Sequence, residues 1–143
     1  MGKALWRDLV IGFSVQLGEL RLGFTQLAAL YAVAGSSALT IGDLAEAIGR
    51  SPSATSRIVG ALERRGLLER VEEEIDRRQR MLRLTADGTA LVAQVDRARA
   101  DEFLAVVRPL PADERALVAM GVASLANRAM TRRGRLIKAP PSR

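Results

Sequence analysis

The sequence contains no cysteine and no histidine among its 143 residues. Without cysteine there is no disulfide framework, no thiolate metal site and no cysteine redox switch. Without histidine, the commonest general base and the commonest metal ligand are both missing. Aromatic residues make up only 3% of the chain, so the hydrophobic core must be built mostly from aliphatic side chains. We therefore expect neither a metal site nor a cofactor.

The same absences limit the chemistry that an enzyme could perform here. Catalysis would have to depend on carboxylates or lysine, and the only lysines, Lys3 and Lys138, lie near the two ends of the sequence. No pair of carboxylates occupies an apolar setting that would tune a pKa. We therefore expect that the protein is not an enzyme.

The net charge of +6 comes from the C-terminal end of the sequence. All 16 acidic residues and 16 of the 22 basic residues precede Arg128, so that part of the chain is neutral overall. A basic tail, residues 131–143, attracts any polyanion without sequence preference. The alternative is a solvated terminus with no specific role.

A stretch without charged residues, 22–42, has the length of a membrane span. Thr25 and Gln26 interrupt it, and residues 34–37 are typical of a helix end followed by a loop. No signal-peptide pattern is recognisable near the N-terminus. We therefore expect no membrane segment and a cytoplasmic protein.

The N-terminal part of the sequence predicts two helices, residues 4–22 and Phe24–Ala34, because their apolar positions recur at helical spacing. The first helix is apolar on more than one side, which is typical of a helix that packs on its own core and on a second surface. Residues 38–40 are short and suited to pairing at a sheet edge.

Two short helices separated by a tight turn follow. Thr40 and Asp43 have the spacing of a capping box at the start of the first helix, and Gly49 ends it. Ser51 caps the second helix, Pro52 fits its first position, and the helix extends to about residue 65. The inward side chains predicted for the first helix are Leu44, Ala47 and Ile48. The buried stripe predicted for the second is Thr55, Ile58, Val59 and Leu62.

Residues 67–71 and 81–84 alternate apolar with charged side chains, as a half-exposed hairpin does. Thr85 caps a long helix from residue 86 to about 107, and a final helix spans residues 112–130. The candidate buried residues of the long helix are Leu91, Val92, Val95, Ala98 and Phe103. The apolar side of the final helix consists of Leu117, Val118, Met120, Gly121 and Leu125. The expected fold is mainly α with a small β-hairpin, in the order of a winged helix-turn-helix.

The helix that begins at Ser51 has the features of a DNA recognition helix. Opposite its buried stripe lie Ser53, Ser56, Arg57 and Gly60, with Ala54 beside them, and all but Arg57 are small enough to let a helix enter the major groove closely. Arg57 can bind a guanine or a phosphate. Arg50 lies just outside the helix N-terminus, where a phosphate is favoured. The alternative is an ordinary surface helix whose serines and arginine are merely solvated.

The loop of the hairpin contains Asp76, Arg77 and Arg78. Residues i and i+2 share a face of an extended chain, so Asp76 can hold Arg78 in place by a charge-assisted hydrogen bond. An arginine at a hairpin tip suits the minor groove, whose narrow A·T stretches concentrate negative potential. The alternative is a generic charged turn. Residues 72–74 are all glutamate and would repel phosphate, so we expect them on the outer edge.

Residues 39–88 as a whole resemble the MarR family of bacterial transcription regulators. The resemblance lies in the capped helix, the Ser-Pro helix start, Leu-Glu-Arg-Arg-Gly-Leu, Asp-x-Arg and Leu-Thr-x-x-Gly, in this order and spacing. It implies a homodimer in which DNA is read by Ser53, Ala54, Ser56 and Arg57, with wing contacts from Arg77 and Arg78. Arg50 and Ser51 complete the expected DNA-binding set, and Asp76 braces the wing.

The resemblance also implies long terminal dimerisation helices. We expect residues 1–22 and 86–130 to form the dimerisation region and residues 24–85 the winged helix-turn-helix. Family members often bind a small phenolic or lipophilic ligand between these parts. Trp6, Phe13 and Tyr31 are the candidate lining residues, and the alternative is that these bulky side chains belong to the core.

The leading hypothesis is a sequence-specific transcription regulator, a repressor, released from DNA by a small aromatic or lipophilic effector. It would act as a homodimer on double-stranded DNA, at a pseudo-palindromic operator with half-sites about one helical turn apart. The alternative is a winged-helix protein–protein interaction module without specific DNA binding. The neutral body and the glutamates at residues 72–74 are compatible with that alternative.

Overall fold

The structure is a computed structural model that describes residues 2–36, 39–72 and 80–136, without the side chains of residues 2, 4–6, 8–9 and 129–136. Its elements are α1 (Gly2–Glu19), α2 (Phe24–Ala34), α3 (Ile41–Ala47), α4 (Pro52–Arg64), β1 (Leu68–Glu72), β2 (Arg80–Leu84), α5 (Ala86–Val107) and α6 (Ala112–Leu136). They form two compact units, Met1–Val95 and Asp96–Arg143. The described elements confirm the predicted fold class, since they are helices with one antiparallel hairpin.

The core of the first unit is aliphatic, as the scarcity of aromatic residues requires. Its largest fully buried side chains come from α2, α3, α4, β2 and α5, namely Leu30, Leu44, Leu62, Leu82, Val59, Val95 and Thr55. Thr55 is the polar member of this set, and its Oγ1 donates a hydrogen bond to the Ser51 carbonyl oxygen at 3.0 Å. The buried hydroxyl is therefore satisfied.

The hairpin joins the core through one face. β1 and β2 pair antiparallel with Leu68 opposite Leu84 and Arg70 opposite Leu82. Leu39 extends the sheet by a single bridge, in which the Leu82 amide donates to the Leu39 carbonyl oxygen at 2.8 Å. The predicted pairing of residues 38–40 at a sheet edge is thus confirmed at Leu39.

Three side chains predicted to be buried are exposed in the structure. On α3, Ala45 is buried and Ala47 is exposed. The short helix turns Leu44 and Ala45 toward the core and ends at Ala47, before another turn is complete. On α5, Ala98 and Phe103 are exposed, because they lie beyond Val95, the last α5 residue in the core of the first unit. Helix periodicity alone does not show where along its length a long helix leaves its core.

The second unit consists of the C-terminal part of α5 and all of α6. Arg115 Nη1 donates to the Arg108 carbonyl oxygen across the turn between the two helices, at 3.3 Å. α6 continues to Leu136, beyond the predicted end at residue 130. Among the described residues, no helix is both long enough and apolar enough to cross a membrane.

A capping box fixes the start of α3, as the sequence predicts. The Asp43 amide donates to Thr40 Oγ1 at 3.2 Å, and the Thr40 amide donates to Asp43 Oδ2 at 2.9 Å. The Thr40 hydroxyl also donates to Asp43 Oδ2 at 2.7 Å. These hydrogen bonds, the hydroxyl's first, lower the pKa of the Asp43 carboxyl below its ordinary value of 3.8.

The start of α5 is held against the end of α4. Thr85 Oγ1 donates to the Gly66 carbonyl oxygen and accepts from the Gly88 amide, which caps α5. The Thr85 amide donates to the Leu67 carbonyl oxygen at 3.2 Å. A Cβ on Gly88 would lie 2.0 Å from that same carbonyl oxygen, so this close approach requires glycine. The Leu-Thr-x-x-Gly sequence is therefore the junction between hairpin and α5.

We expect Gly88→Ala to lower the free energy of unfolding by about 2–3 kcal/mol, because the added methyl group overlaps backbone that cannot rotate away. Urea unfolding followed by circular dichroism measures the change. The matched control is Gly42→Ala on α3, where the added Cβ would lie at an ordinary 3.6 Å from Thr40 Oγ1. The control should be neutral or stabilising by up to about 1 kcal/mol, and equal losses in both variants would contradict the steric argument.

Asp43→Asn tests the charge of the α3 cap. The pKa of Asp43 is lower in the folded chain than its ordinary 3.8, so the carboxylate stabilises the fold above that pH and the contribution disappears as pH falls through the folded pKa. We expect the wild type to exceed the variant by about 0.5 kcal/mol near neutral pH. The difference should vanish in acid. Unfolding curves from pH 7 to pH 2 measure it, with Glu46→Gln on the same helix as control. A difference that does not depend on pH would contradict this explanation.

Candidate nucleic-acid interface

The turn between α3 and α4 depends on a left-handed glycine. Gly49 has φ of 63°, a conformation that costs other residues energy. The Gly49 amide donates to the Glu46 carbonyl oxygen at 3.2 Å, and the Arg50 amide donates to the Ala45 carbonyl oxygen at 2.9 Å. These bonds end α3 and reverse the chain, so that only four residues separate the end of α3 from the start of α4.

The first turn of α4 is built by its serines. Ser51 Oγ accepts from the Ala54 amide at 3.3 Å and lies 3.3 Å from Ser53 Oγ. Pro52 occupies the first helical position, where a missing N–H is tolerated. Ser51 therefore caps α4. The residue is exposed, and its hydroxyl can accept this hydrogen bond and also donate one.

α4 has one buried side and one open side. Thr55, Val59 and Leu62 are buried, and Ile58 is half-buried against the core. Ser53, Ser56 and Arg57 are exposed, and Ala54 and Gly60 are partly exposed. The predicted buried stripe is confirmed, and the residues expected to contact DNA lie together on the opposite side of the helix.

The open side of α4 carries positive charge. Among the described residues, the side chains of Arg50 and Arg57 have no hydrogen-bond or ion-pair partner. The one acidic residue of α4, Glu63, is paired with Arg70 of β1, with 3.1 Å between Glu63 Oε1 and Arg70 Nε. That pair removes the negative charge from the open side and links α4 to the hairpin.

One further residue, Arg64, extends this surface beyond the sequence-based set. Arg64 lies seven residues after Arg57, on the same side of the helix two turns later. Its Nη1 would be 3.6 Å from a Cβ built on Gly60, so the guanidinium lies over the glycine. The spacing of residues 50, 57 and 64 is visible in the sequence and could have identified Arg64.

The predicted wing residues Asp76, Arg77 and Arg78 lie outside the described residues. β1 ends at Glu72 and β2 begins at Arg80, which are paired across the hairpin. Glu69 and Arg83 are also paired, on the other face of the hairpin, so opposite charges stand opposite each other at both positions. The predicted roles of Asp76, Arg77 and Arg78 stay predictions.

The three candidate ligand-lining residues do not form one described cluster. The side chain of Trp6 lies outside the described part of the chain. Phe13 and Tyr31 are half-buried and pack against the core. Phe13 also contacts the Phe24 ring edge to face, with 6.1 Å between ring centroids, and Phe24 is 68% exposed. The aromatic surface of this region is thus centred on Phe13 and Phe24.

The shape and charge of the open side of α4 are suited to binding in the groove of a polyanion. Small side chains permit close approach of the helix backbone, and arginines at its start and middle can bind phosphates or guanine. Within the described ranges, no acidic cluster could hold a metal ion.

The chain is similar to a protein family and to several solved structures. A model of the MarR family matches residues 22–79 of the sequence. An S. aureus MepR–DNA complex superimposes with a TM-score of 0.71 at 21% identity, covering 89% of this chain and 96% of that chain. Wild-type apo MarR from E. coli gives 0.57 at 23% identity, covering 76% and 82%.

A third solved structure is the PcaV transcriptional regulator of Streptomyces coelicolor in complex with its natural ligand. It gives a TM-score of 0.54 at 27% identity, covering 87% of this chain and 91% of that chain. No curated protein sequence matches this chain. The MarR family model covers residues 22–79, from α2 through β1 to the residue before β2, and the described elements have the fold of the MepR and MarR structures.

Proposed function

We propose that this protein is a homodimeric, sequence-specific DNA-binding transcription regulator that acts as a repressor. Each α4 enters the major groove of one half-site of a pseudo-palindromic operator, and the wing residues Arg77 and Arg78 contact the flanking minor groove. The dimer excludes other proteins from the DNA that it occupies. The fold shared with an S. aureus MepR–DNA complex supports this proposal.

The observation that carries the proposal is the open side of α4. Arg57 is exposed there and has no partner among the described residues, and the residues one turn before and one turn after it, Ser53 and Gly60, are small. An unpaired arginine between small side chains contributes nothing evident to the core or to capping. Its position is accounted for when a phosphate or a guanine edge binds it.

Exposed apolar side chains support the dimer. Soluble monomers rarely expose large apolar patches, because each costs free energy in water. α1, α5 and α6 all carry exposed apolar residues, namely Val10, Ile11, Val15, Phe103, Leu104, Val106, Leu117, Met120, Val122 and Leu125. We assign these faces to the contact between two copies of the chain, in keeping with dimerisation regions at residues 1–22 and 86–130.

We expect wild-type protein to bind one palindromic duplex selected in vitro with an affinity that falls steeply as salt rises, since phosphate contacts release counterions. Arg57→Ala should weaken binding by about 1–3 kcal/mol. We expect the same loss of affinity for Arg78→Ala, on the basis of its position in the sequence alone. Fluorescence anisotropy of labelled DNA at several salt concentrations measures both effects.

Lys3→Ala is the charge-matched control for Arg57→Ala. Lys3 is exposed near the start of α1, about 24 Å along that helix from its end at Glu19. Its loss should leave affinity nearly unchanged, and light scattering of the complex should give two chains per duplex. Absence of binding at low salt, or binding that does not depend on salt, would refute the proposal and favour a protein partner for the winged helix.

The proposal includes release by a small aromatic or lipophilic effector. The structure of PcaV with its natural ligand supports it by analogy, and the exposed Phe24 ring beside Phe13 offers an aromatic surface. Screening phenols and aromatic carboxylates against the protein–DNA complex should identify a compound that lowers DNA-bound anisotropy. Phe24→Ala should weaken its effect about tenfold, as loss of one well-packed aromatic contact does. A compound equally active on the variant would exclude this surface.

A further inference from the structure

Arg65, immediately after α4, reaches across the fold to the end of α1. Its Nη1 donates to the Arg21 carbonyl oxygen at 2.8 Å, and its Nη2 donates to the Leu20 carbonyl oxygen at 3.0 Å. The two carbonyl groups follow directly on the end of α1 at Glu19. One planar guanidinium thus makes two hydrogen bonds to adjacent backbone groups, which fixes both distance and orientation.

The turn that Arg65 holds is strained. Arg21 has φ of 49° and is the one residue other than glycine with a positive φ among those described. The Leu22 amide donates to the Leu17 carbonyl oxygen at 2.9 Å, and the Arg21 amide donates to the Gly18 carbonyl oxygen at 3.0 Å. This helix ending normally places glycine where Arg21 stands, because L-residues disfavour the left-handed conformation.

The other end of the link is a rigid junction. The Gly66 and Leu67 amides close α4 by donating to the Glu63 and Leu62 carbonyl oxygens, at 2.8 and 3.0 Å. Thr85 binds the Gly66 carbonyl oxygen from the start of α5. Arg65 therefore connects a strained turn after α1 to the fixed junction where α4 ends and α5 begins.

We propose that Arg65 is a positioning residue that sets the angle between α1 and the recognition helix. The role rests on the function proposed above, in which α1 belongs to the dimerisation region and α4 reads DNA. A change in that angle alters the spacing of the two recognition helices, which must match the half-sites of the operator. Arg65 itself binds α1 backbone, so its effect on DNA binding passes through this turn.

Arg65→Gln tests the proposal in combination with two substitutions of Arg21. Arg21→Gly relieves the left-handed strain, so the turn no longer depends on Arg65. Arg21→Val removes the same positive charge but places a β-branched residue where it is least tolerated. The two Arg21 variants are thus matched in charge and differ chiefly in their tolerance of a positive φ.

We expect Arg65→Gln to weaken operator binding about tenfold, within the usual range of coupling between distant sites, with an unchanged salt dependence. Adding Arg21→Gly should restore affinity to within about twofold to threefold. Adding Arg21→Val should not restore it. Arg65→Lys, which keeps the charge but lacks the planar pair of donors, should show an intermediate loss. If Arg65→Gln fails to fold, the same affinities are measured with Arg65→Lys in its place.

Amide hydrogen exchange near the end of α1 separates this proposal from the proposed function. Arg65→Gln should raise exchange at the Arg21 and Leu22 amides about tenfold or more, and Arg21→Gly should reverse the increase, with or without DNA. Unchanged exchange in folded Arg65→Gln overturns the proposal. A salt slope reduced by about one with no rescue by Arg21→Gly also overturns it, because Arg65 would then be a direct phosphate contact.

Discussion

The structure depends first on the burial of one side of α4. Thr55, Val59 and Leu62 are almost completely removed from water, and they bring α4 against α2, α3 and β1. Burial of aliphatic side chains is the dominant favourable term in folding, and it also decides which way a helix faces. Once this stripe is inside, Ser53, Ser56 and Arg57 must lie outside. The candidate site is therefore a consequence of the core packing on the other side of the same helix.

Hydrogen bonds at the start of α4 and at its junction with α5 fix the position of α4 as well as its orientation. The capping box of α3 and the left-handed Gly49 determine where α4 begins, and the Ser51 hydroxyl satisfies an amide of its first turn. At the other end, Thr85 and Gly88 hold α5 within contact of the Leu67 carbonyl oxygen. Each of these bonds is modest in free energy, but they act on the backbone and leave α4 little freedom to tilt. The match of α4 to a DNA groove that we propose needs such constraint at both ends.

The charges around α4 complete the arrangement. Glu63 is turned toward Arg70 of the hairpin, so the open side of the helix retains arginines and no acid. The Arg65 guanidinium donates hydrogen bonds to backbone carbonyl oxygens after α1. Adjacent arginines in the Leu-Glu-Arg-Arg-Gly sequence therefore have different surroundings, since Arg64 lies over Gly60 on the open side. A basic run in a sequence does not by itself say which of its members is available to a ligand.

Local patterns in the sequence were sufficient to predict the helices, the N-terminal caps of α3 and α4, the hairpin and the buried side of α4. Each of these features depends on residues only a few positions apart. The point at which α5 leaves its core was not predictable in this way, and the burial predicted for Ala98 and Phe103 is wrong for that reason. The burial predicted for Ala47 is wrong because Ala45 lies beside Leu44 on the core side of the short α3. The close approach of Gly88 to Leu67 and the contact of Arg65 with Leu20 and Arg21 were decided only by tertiary structure. Such contacts join segments that are 21 to 45 residues apart, and no periodicity or cap records which distant backbone a side chain will meet.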